Sequence, residues 1–286
     1  MKRLIVNADD FGFTRGVNSG IVRAFKTGIV TSTTIMANGE AFEDAVELAL
    51  AHPGLGIGCH LAVVGGRPVA ESSKIRSLVD DEGALPGTLT KLMIKLARGS
   101  VSTDEIANEF RSQLERVALA GIHPTHLDTH KHSHTHPQVM KALALVASEF
   151  GIECVRNPFE GIAVAQLGAL SKWASLKQYA LSAAIQPGAV QFKRLARANG
   201  LKTPDRFFGV GLTGMLDSAS IQSMMKSLGK GTAELMCHPG IYDEDLDRAP
   251  TRLKRERALE LEALSDPSLR RLAEAHGIEL INYGEL

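Results

Sequence analysis

Segments typical of buried strands alternate with segments typical of amphipathic helices along most of this chain. The strand-like segments are short and rich in apolar or β-branched residues. They cover residues 4–6, 29–36, 55–61, 124–128, 151–156, 207–212, 233–237 and 278–283. Alternation of this kind implies a parallel sheet with right-handed crossovers. With seven or eight mostly parallel strands, we predict an α/β fold, a distorted (β/α) barrel of the TIM type.

The length and charge of the chain narrow the class of protein. Its 286 residues, 44% of them hydrophobic, are enough for one packed barrel. We therefore predict a single catalytic domain over residues 1–286, with irregular insertions near 64–102 and 157–205. Lysine and arginine together number 32, and aspartate and glutamate also number 32. This balance argues against a nucleic-acid partner.

Cysteine usage and hydropathy bear on the cellular compartment. The three cysteines form no CxxC pair, so we expect no disulfide framework. The first apolar run is too short for a signal peptide, and no stretch reaches the roughly 18 apolar residues of a membrane span. We predict a cytoplasmic protein without a transmembrane segment, and peripheral membrane contact stays open. The amphipathic helix over residues 252–264 suits either the core or a homodimer interface.

A histidine-rich tract follows the fourth strand-like segment. Six of the ten histidines lie between His123 and His136. Asp128 and the four histidines after it recur at every second position: His130, His132, His134 and His136. If the tract is extended, these side chains share one face. Neutral imidazole is a common metal ligand, and an aspartate can bind the ion or orient the ring. The alternative is a solvated polar loop that binds nothing.

Polar side chains also follow three other strand-like segments. Asp9 and Asp10 come directly after the first segment, and His60 lies near the end of the third. His238 follows the segment 233–237. In a barrel, the carboxyl ends of all strands face one mouth, where such enzymes carry their chemistry. We therefore expect these residues to meet the histidine tract there, although a lone histidine at such a position is more often a satisfied core residue.

The chemistry of this set suits metal-assisted hydrolysis of an amide or an ester. One carboxylate and two histidines leave coordination positions open, as catalytic metal sites do. A neighbouring carboxylate could take a proton from water, and a histidine could donate one to the leaving group. A glycosidase pair formed by Asp9 and Asp10 is less favoured, because adjacent residues rarely face both sides of one bond. A metal-dependent phosphoesterase and a non-catalytic metal- or sugar-binding protein remain alternatives.

Five motifs occur in chain order: Asn7-Ala8-Asp9-Asp10-Phe11-Gly12, Thr31-Ser32-Thr33-Thr34, Gly58-Cys59-His60-Leu61, Thr125-His126-Leu127-Asp128-Thr129-His130-Lys131-His132 and Met236-Cys237-His238-Pro239. Together they resemble the motifs of the YdjC-like carbohydrate deacetylases, a family that includes diacetylchitobiose and hopanoid-associated deacetylases. The likeness extends from residue 5 to residue 240. The combination is specific, whereas no single motif would be.

The resemblance implies a distorted (β/α) barrel and an N-deacetylase, an amide hydrolase acting on an amino sugar such as a chito-oligosaccharide. It implies one divalent metal ion, Mg²⁺ or Zn²⁺, held by Asp10, His60 and His130. Asp9 would activate water, and His238 would protonate the departing amine. The other candidates are substrate-binding or supporting residues: His126, Asp128, His132 and Arg156.

Two stretches resemble the hopanoid-associated branch more closely. They are His130-Lys131-His132-Ser133-His134-Thr135-His136-Pro137 and Gly65-Gly66-Arg67-Pro68-Val69. In that branch the substrate would be an N-acetylglucosaminyl lipid. The apolar excursion over residues 161–200 would then serve as a lid or as a platform for the hydrocarbon part. Ser133 departs from the bulky apolar residue expected at its position, so the pocket shape does not follow from the resemblance.

Overall fold

The structure is a computed structural model that describes residues 1–159 and 188–286. Seven strands lie in this part: β1 (Lys2–Phe11), β2 (Ser32–Ile35), β3 (Gly56–Leu61), β4 (Leu127–Thr129), β5 (Arg206–Phe208), β6 (Gly231–Cys237) and β7 (Ile278–Leu280). Its helices are α1 (Arg15–Thr27), α2 (Phe42–Ala51), α3 (Leu89–Ala97), α4 (Thr103–Leu119), α5 (Pro137–Glu149), α6 (188–198), α7 (Ser218–Ser227), α8 (Glu244–Arg248), α9 (Arg255–Leu264) and α10 (Pro267–Ala275). Each strand overlaps a segment predicted from the sequence.

The strands form one parallel sheet that curls into the predicted distorted (β/α) barrel. Their order is β4-β3-β2-β1-β6-β5, and β7 pairs with the first residues of β1. Two isolated bridges carry the pairing beyond β4: Leu127 pairs with Val155, and Cys154 pairs with Lys202, shortly before β5. The predicted strand at 151–156 is therefore wrong in length. Gly151 takes a left-handed turn conformation, with φ of 67°, and delays the extended chain.

Alternation along the strands separates an apolar outer face from a polar interior. On β1, the outer residues belong to the large hydrophobic cluster that the helices cover: Leu4, Val6 and Ala8. Ile5 packs in a second cluster, together with Tyr283. Successive strand side chains point to opposite faces, so Asn7 and Asp9 share the inner side with Ile5. Polar groups thus line the barrel interior at the carboxyl ends of the strands.

The insertion predicted near residues 64–102 follows β3. It contains helix α3. Glu109 of α4 is fully buried and holds this insertion. Its carboxylate accepts hydrogen bonds from the backbone N–H groups of Val69 and Ala70, each at 2.9 Å. The chain that leaves β3 is therefore fixed close to the mouth of the barrel.

The second predicted insertion, near 157–205, falls largely on residues 160–187, which lie outside the described residues. The same holds for the lid or lipid platform assigned to 161–200. Within the described ranges, no helix is both long enough and apolar enough to cross a membrane. A single domain over residues 1–286 stays a prediction.

Candidate active site

Three potential metal ligands converge at the carboxyl end of the sheet. Asp10 lies near the end of β1, His60 near the end of β3, and His130 directly after β4. Oδ1 of Asp10 lies 3.5 Å from Nε2 of His60 and 3.5 Å from Nδ1 of His130. The two ring nitrogens are 3.2 Å apart. These atoms form a small triangle of the donor types that bind a divalent cation.

The backbone of Asp10 explains how two successive carboxylates reach the same site. Neighbouring residues of a regular strand point to opposite faces. Asp10 departs from the strand conformation with φ of 71°, in the left-handed region that residues other than glycine rarely adopt. Its carboxylate therefore reaches the mouth of the barrel while that of Asp9 stays in the interior. Such strained residues cluster at functional sites.

Asp128 orients His60 toward the triangle. Oδ1 of Asp128 lies 2.7 Å from Nδ1 of His60, and the hydroxyl of Thr34 lies 3.2 Å from the same nitrogen. The other ring nitrogen is left for Asp10 and His130. Burial opposes a charge on His60, but the surrounding carboxylates, Asp128 first, outweigh burial and raise the pKa of His60 to about 9. A carboxylate behind a histidine ring is a common arrangement around a metal ligand.

The histidine tract is not extended, so the predicted common face of its alternate side chains is wrong. β4 ends at Thr129, and a 3-10 turn covers His130–Thr135, with left-handed φ angles at its second and third residues. The hydroxyl of Thr129 closes this turn by accepting a hydrogen bond from the backbone of His134 at 3.0 Å. Nε2 of His134 lies 3.2 Å from a backbone oxygen, and His136 caps α5. These two histidines therefore have structural contacts.

The side chain of His132 is partly exposed, as are those of His130 and His136. Its ring meets that of Phe207 edge-on, with 5.7 Å between the centroids. Its Nδ1 is buried and has no hydrogen-bond partner in the described part of the chain. Burial, followed by the charge of Arg156, holds the pKa of His132 well below its ordinary value. The ring is neutral, and one of its nitrogens can bind a ligand.

Arg156 connects three carboxylates inside the barrel. Its Nη1 donates to Oδ2 of Asp9 at 2.7 Å, and its Nη2 donates to Oδ1 at 2.6 Å. Nη1 also lies 2.5 Å from Oδ2 of Asp128, and Nε donates to Glu234 at 2.8 Å. The sequence suggests a substrate contact for Arg156. The structure instead buries it completely and pairs its nitrogens with acidic groups of the protein.

The ion pair with Arg156 decides the charge of Asp9. Burial alone would favour the protonated form. The charge and the hydrogen bonds of Arg156 outweigh it and hold the pKa of Asp9 well below its usual range. Asp9 therefore stays ionised at neutral pH, in contact with the polar interior.

A series of polar contacts continues around the interior from Glu234. The hydroxyl of Tyr283 donates to Glu234 at 2.5 Å, and its ring stacks on His126 with 3.7 Å between the centroids. Nε2 of His126 lies 3.1 Å from Oδ1 of Asn7, whose amide donates to Asp9 at 3.0 Å. His126 is fully buried, so its position supports Asp9 instead of facing open space.

His238 directly follows β6, the strand beside β1. Its backbone N–H donates to Oε2 of Glu260 at 2.6 Å. Its ring Nδ1 is buried and unpartnered among the residues that the structure describes. Burial lowers the pKa of His238 to about 4, although Asp9 and Asp10 act in the opposite direction. The ring is therefore neutral near pH 7 and can exchange a proton with a ligand.

Four buried residues of this site do not appear among the sequence predictions: Glu234, Arg257, Glu260 and Tyr283. One signal for Glu234 was available, because an acidic residue within the apolar run of a buried strand requires a partner. Arg257 and Glu260 lie on α9 at the same helical spacing as its buried apolar residues. A charged residue at such a position indicates a buried ion pair or hydrogen bond, but its partner cannot be read from the sequence.

Three kinds of polar group lie at one end of the barrel. Asp10, His60 and His130 form a set of ligand atoms, Asp9 is an ionised acceptor, and His238 is a neutral ring with an available nitrogen. Residues 3–275 match the family described as YdjC-like protein. The chain belongs to the YdjC-like family. This result agrees with the resemblance carried by the five motifs and does not distinguish the hopanoid-associated branch.

Relatives from the YdjC-like family match nearly the whole chain. A carbohydrate deacetylase of Geobacillus stearothermophilus is 35% identical over an alignment 286 residues long, gaps included. The alignment covers 98% of this chain and 96% of the relative. A chitooligosaccharide deacetylase of Escherichia fergusonii is 30% identical over 282 residues. The alignment covers 98% of this chain and 97% of the relative. A crystal structure from Enterococcus faecalis, provisionally assigned to cellobiose-phosphate cleavage, aligns with a TM-score of 0.81 at 25% identity, over 99% of this chain and 98% of the other.

Proposed function

We propose that this chain is a carbohydrate N-deacetylase that removes acetyl groups from an amino sugar with the help of one divalent metal ion. The observation that carries the proposal is the convergence of Asp10, His60 and His130 beside the ionised carboxylate of Asp9. The similarity to carbohydrate and chitooligosaccharide deacetylases over nearly the full chain supports the same class of reaction.

Asp10, His60 and His130 are the residues that would hold the ion. Their ligand atoms lie within 4.8 Å of one another, and Asp128 already orients one of the rings. One carboxylate and two imidazoles suit Zn²⁺, or Mg²⁺ if waters complete its coordination. When bound, such an ion acidifies water and polarises a carbonyl oxygen. The donor set therefore fits the group that the reaction requires.

Asp9 takes a proton from the attacking water in this proposal. Its low pKa keeps it ionised, and Arg156 holds both of its oxygens in one position. Oδ1 of Asp9 accepts from both Arg156 and Asn7, whereas Oδ2 accepts from Arg156 alone and keeps a lone pair for water. A positioned base of this kind accelerates such reactions by about 10²- to 10⁴-fold.

His238 passes a proton to the departing amine. Since the ring is neutral before the reaction, the proton that it delivers derives from the attacking water. The oxygen of that water ends in acetate, the bond between the carbonyl carbon and the nitrogen breaks, and the protons of the water end on the amine. The products are acetate and a free amino sugar.

The substrates that we propose are a chito-oligosaccharide or an N-acetylglucosaminyl lipid. We favour His132 as the substrate contact. Its side chain is partly exposed, and its ring packs edge-on against that of Phe207. Its Nδ1 has no hydrogen-bond partner among the described residues. His126, Asp128 and Arg156 are fully buried and act through neighbouring side chains. We assign to them the positioning of His60 and Asp9.

An acetate-release assay tests this function. Purified protein would be offered short N-acetylglucosamine oligomers and an N-acetylglucosaminyl lipid, before and after chelator treatment and after re-addition of Zn²⁺ or Mg²⁺. We expect acetate release that stops with chelator and returns with metal. Release that continues from metal-free protein would overturn the metal-dependent mechanism.

Parallel assays separate this function from its two alternatives. Hydrolysis of aryl phosphates, without acetate release from the sugars, would favour a metal-dependent phosphoesterase. Tight retention of metal or sugar without any product would favour a binding protein. The presence of both a candidate base and a candidate acid argues against the second alternative, because a binding protein requires neither.

A further inference from the structure

Helix α9 contacts the candidate site through two charged residues that the proposed reaction does not use. Arg257 and Glu260 are three positions apart, so both lie on the same side of the helix. They are only 2% and 1% exposed. Burying a charge is costly unless a partner compensates for it, so the contacts of these two residues bear on their role.

Arg257 holds the side chain of Asp10. Its Nη2 donates to Oδ2 of Asp10 at 2.5 Å, while Oδ1 is the atom that lies near His60 and His130. The guanidinium therefore determines which oxygen of the carboxylate is offered as a ligand. The contact also fixes a residue with a strained, left-handed backbone. Burial alone would favour a protonated Asp10, but Arg257, followed by His130 and His60, keeps the pKa of Asp10 well below its ordinary value.

Glu260 holds the chain that carries His238. Its two carboxylate oxygens accept hydrogen bonds from the backbone N–H groups of His238, at 2.6 Å, and of Gly214, at 2.8 Å. The same chain also packs on Arg257. The N–H of Gly240 donates to the backbone oxygen of Arg257 at 3.1 Å, and a Cβ at Gly240 would lie 3.3 Å from its side chain.

We propose that one turn of α9 sets the position of Asp10 relative to His238, with Arg257 and Glu260 as positioning residues. This inference rests on the proposed function, in which Asp10 is a metal ligand and His238 donates a proton. The two groups come from different strands, β1 and β6. A helix turn that contacts both gives them a common rigid support. Neither residue of α9 needs to touch the substrate.

The two contacts predict effects that can be separated. Arg257→Met removes the donor that fixes Asp10 and should weaken metal binding 10- to 100-fold, as loss of a group behind a ligand does. Arg257→Lys keeps the charge but not the reach and planar geometry of the guanidinium, and should give an intermediate loss. Glu260→Gln should leave metal affinity within about twofold, since its contacts are to the backbone of His238 and Gly214. It should lower kcat about 10-fold with little change in KM.

The experiment compares these variants with two matched controls on the exposed side of the same helix, Arg255→Met and Glu262→Gln. Zn²⁺ affinity would be measured by calorimetry, the unfolding midpoint by urea titration, and kcat and KM by acetate release. We expect both controls to match the wild type. If Arg257 and Glu260 had only a structural role, their variants would have lower unfolding midpoints. Metal affinity and kcat would then fall together in both variants.

The proposal is overturned if both Arg257 variants bind Zn²⁺ with wild-type affinity, or if Glu260→Gln has wild-type kcat. If Arg257→Met does not fold, Arg257→Lys decides the point, because it preserves the buried charge. A wild-type protein that binds no metal, or that releases no acetate, contradicts the proposed function instead. The two failures are therefore distinguishable.

Discussion

Arg156 holds Asp9 in a bidentate ion pair inside the barrel, with nitrogen–oxygen distances of 2.7 and 2.6 Å. Asp128 and Glu234 share the same guanidinium, at 2.5 and 2.8 Å. Three buried carboxylates thus surround one buried cation. This arrangement fixes Asp9 in the interior and, through Asp128, supports His60 at the mouth.

Replacing Arg156 by methionine should therefore destabilise the protein strongly. We expect a loss of about 3–5 kcal/mol in the free energy of unfolding, because the buried carboxylates lose their counter-charge. Urea unfolding near neutral pH measures this loss. Arg111→Met is the matched control, since Arg111 makes two 2.7 Å contacts with Glu149 at the surface. That change should cost less than about 1 kcal/mol, and equal losses would contradict the account.

Glu234 should make the stability depend on pH. Burial raises the pKa of Glu234 from its ordinary 4.5 to about 7, despite the neighbouring Arg156. Because the pKa is higher in the folded state, the stabilisation is complete below about pH 4.5 and is lost as the pH rises through about 7. Glu234→Gln keeps the shape without the titration. The free energy of unfolding of this variant, relative to that of the wild type, should rise by about 1 kcal/mol from about pH 6 to about pH 8.

Urea unfolding of the wild type and of Glu234→Gln at about pH 6 and about pH 8 tests this prediction. A difference between variant and wild type that is the same at both values would show that the carboxyl group does not titrate in this range.

Metal affinity should fall as the pH falls. The pKa of His60 is raised to about 9 by the carboxylates around it, so the metal-free protein carries a proton on this ligand at neutral pH. A metal ion must displace that proton. The apparent affinity should therefore increase about tenfold per pH unit below about pH 9. Calorimetry in buffers with different heats of ionisation counts the protons released, and an affinity that is constant across this range would refute the prediction.

Gly58 should be intolerant of a larger residue. A Cβ at this position would lie 2.4 Å from Cε1 and 2.5 Å from Nδ1 of His126. Gly58→Ala should cost about 1–3 kcal/mol in unfolding free energy, because the stacked ring has to move. Gly87→Ala is the control, since a Cβ there would have nothing within 4 Å. If urea unfolding finds the two variants equally stable, the packing of His126 inside the barrel is not as described.

Local patterns predict the fold and the convergence of polar residues at one end of the sheet. Alternation of apolar runs and helical spacing identifies the parallel barrel, because each β–α unit repeats the same signal. Asp9, Asp10, His60 and the histidine tract are expected to meet because each lies near a strand end, and the carboxyl ends of parallel strands meet at one mouth. The choice of Asp10, His60 and His130 as metal ligands comes from the resemblance to the YdjC-like family.

Contacts between distant parts of the chain are what the sequence leaves open. Arg257 and Asp10 are 247 positions apart, and no local pattern connects them. The histidine tract misleads for a different reason. Its alternation indicates a strand, but the hydroxyl of Thr129 binds the backbone of His134 and favours a turn with His132 in the left-handed region. Tertiary contacts also bury Arg156, which the sequence suggests as a substrate contact.

The central claim is that Asp10 holds the metal ion while Asp9 acts on water. The most direct test measures the metal content per chain and the rate of acetate release for Asp9→Asn and Asp10→Asn, with unfolding midpoints as a check on folding. We predict that Asp9→Asn keeps about one ion per chain and turns over about 10²- to 10⁴-fold more slowly, whereas Asp10→Asn loses both metal and activity. Wild-type acetate release by Asp9→Asn, or full metal content in Asp10→Asn, would contradict the account.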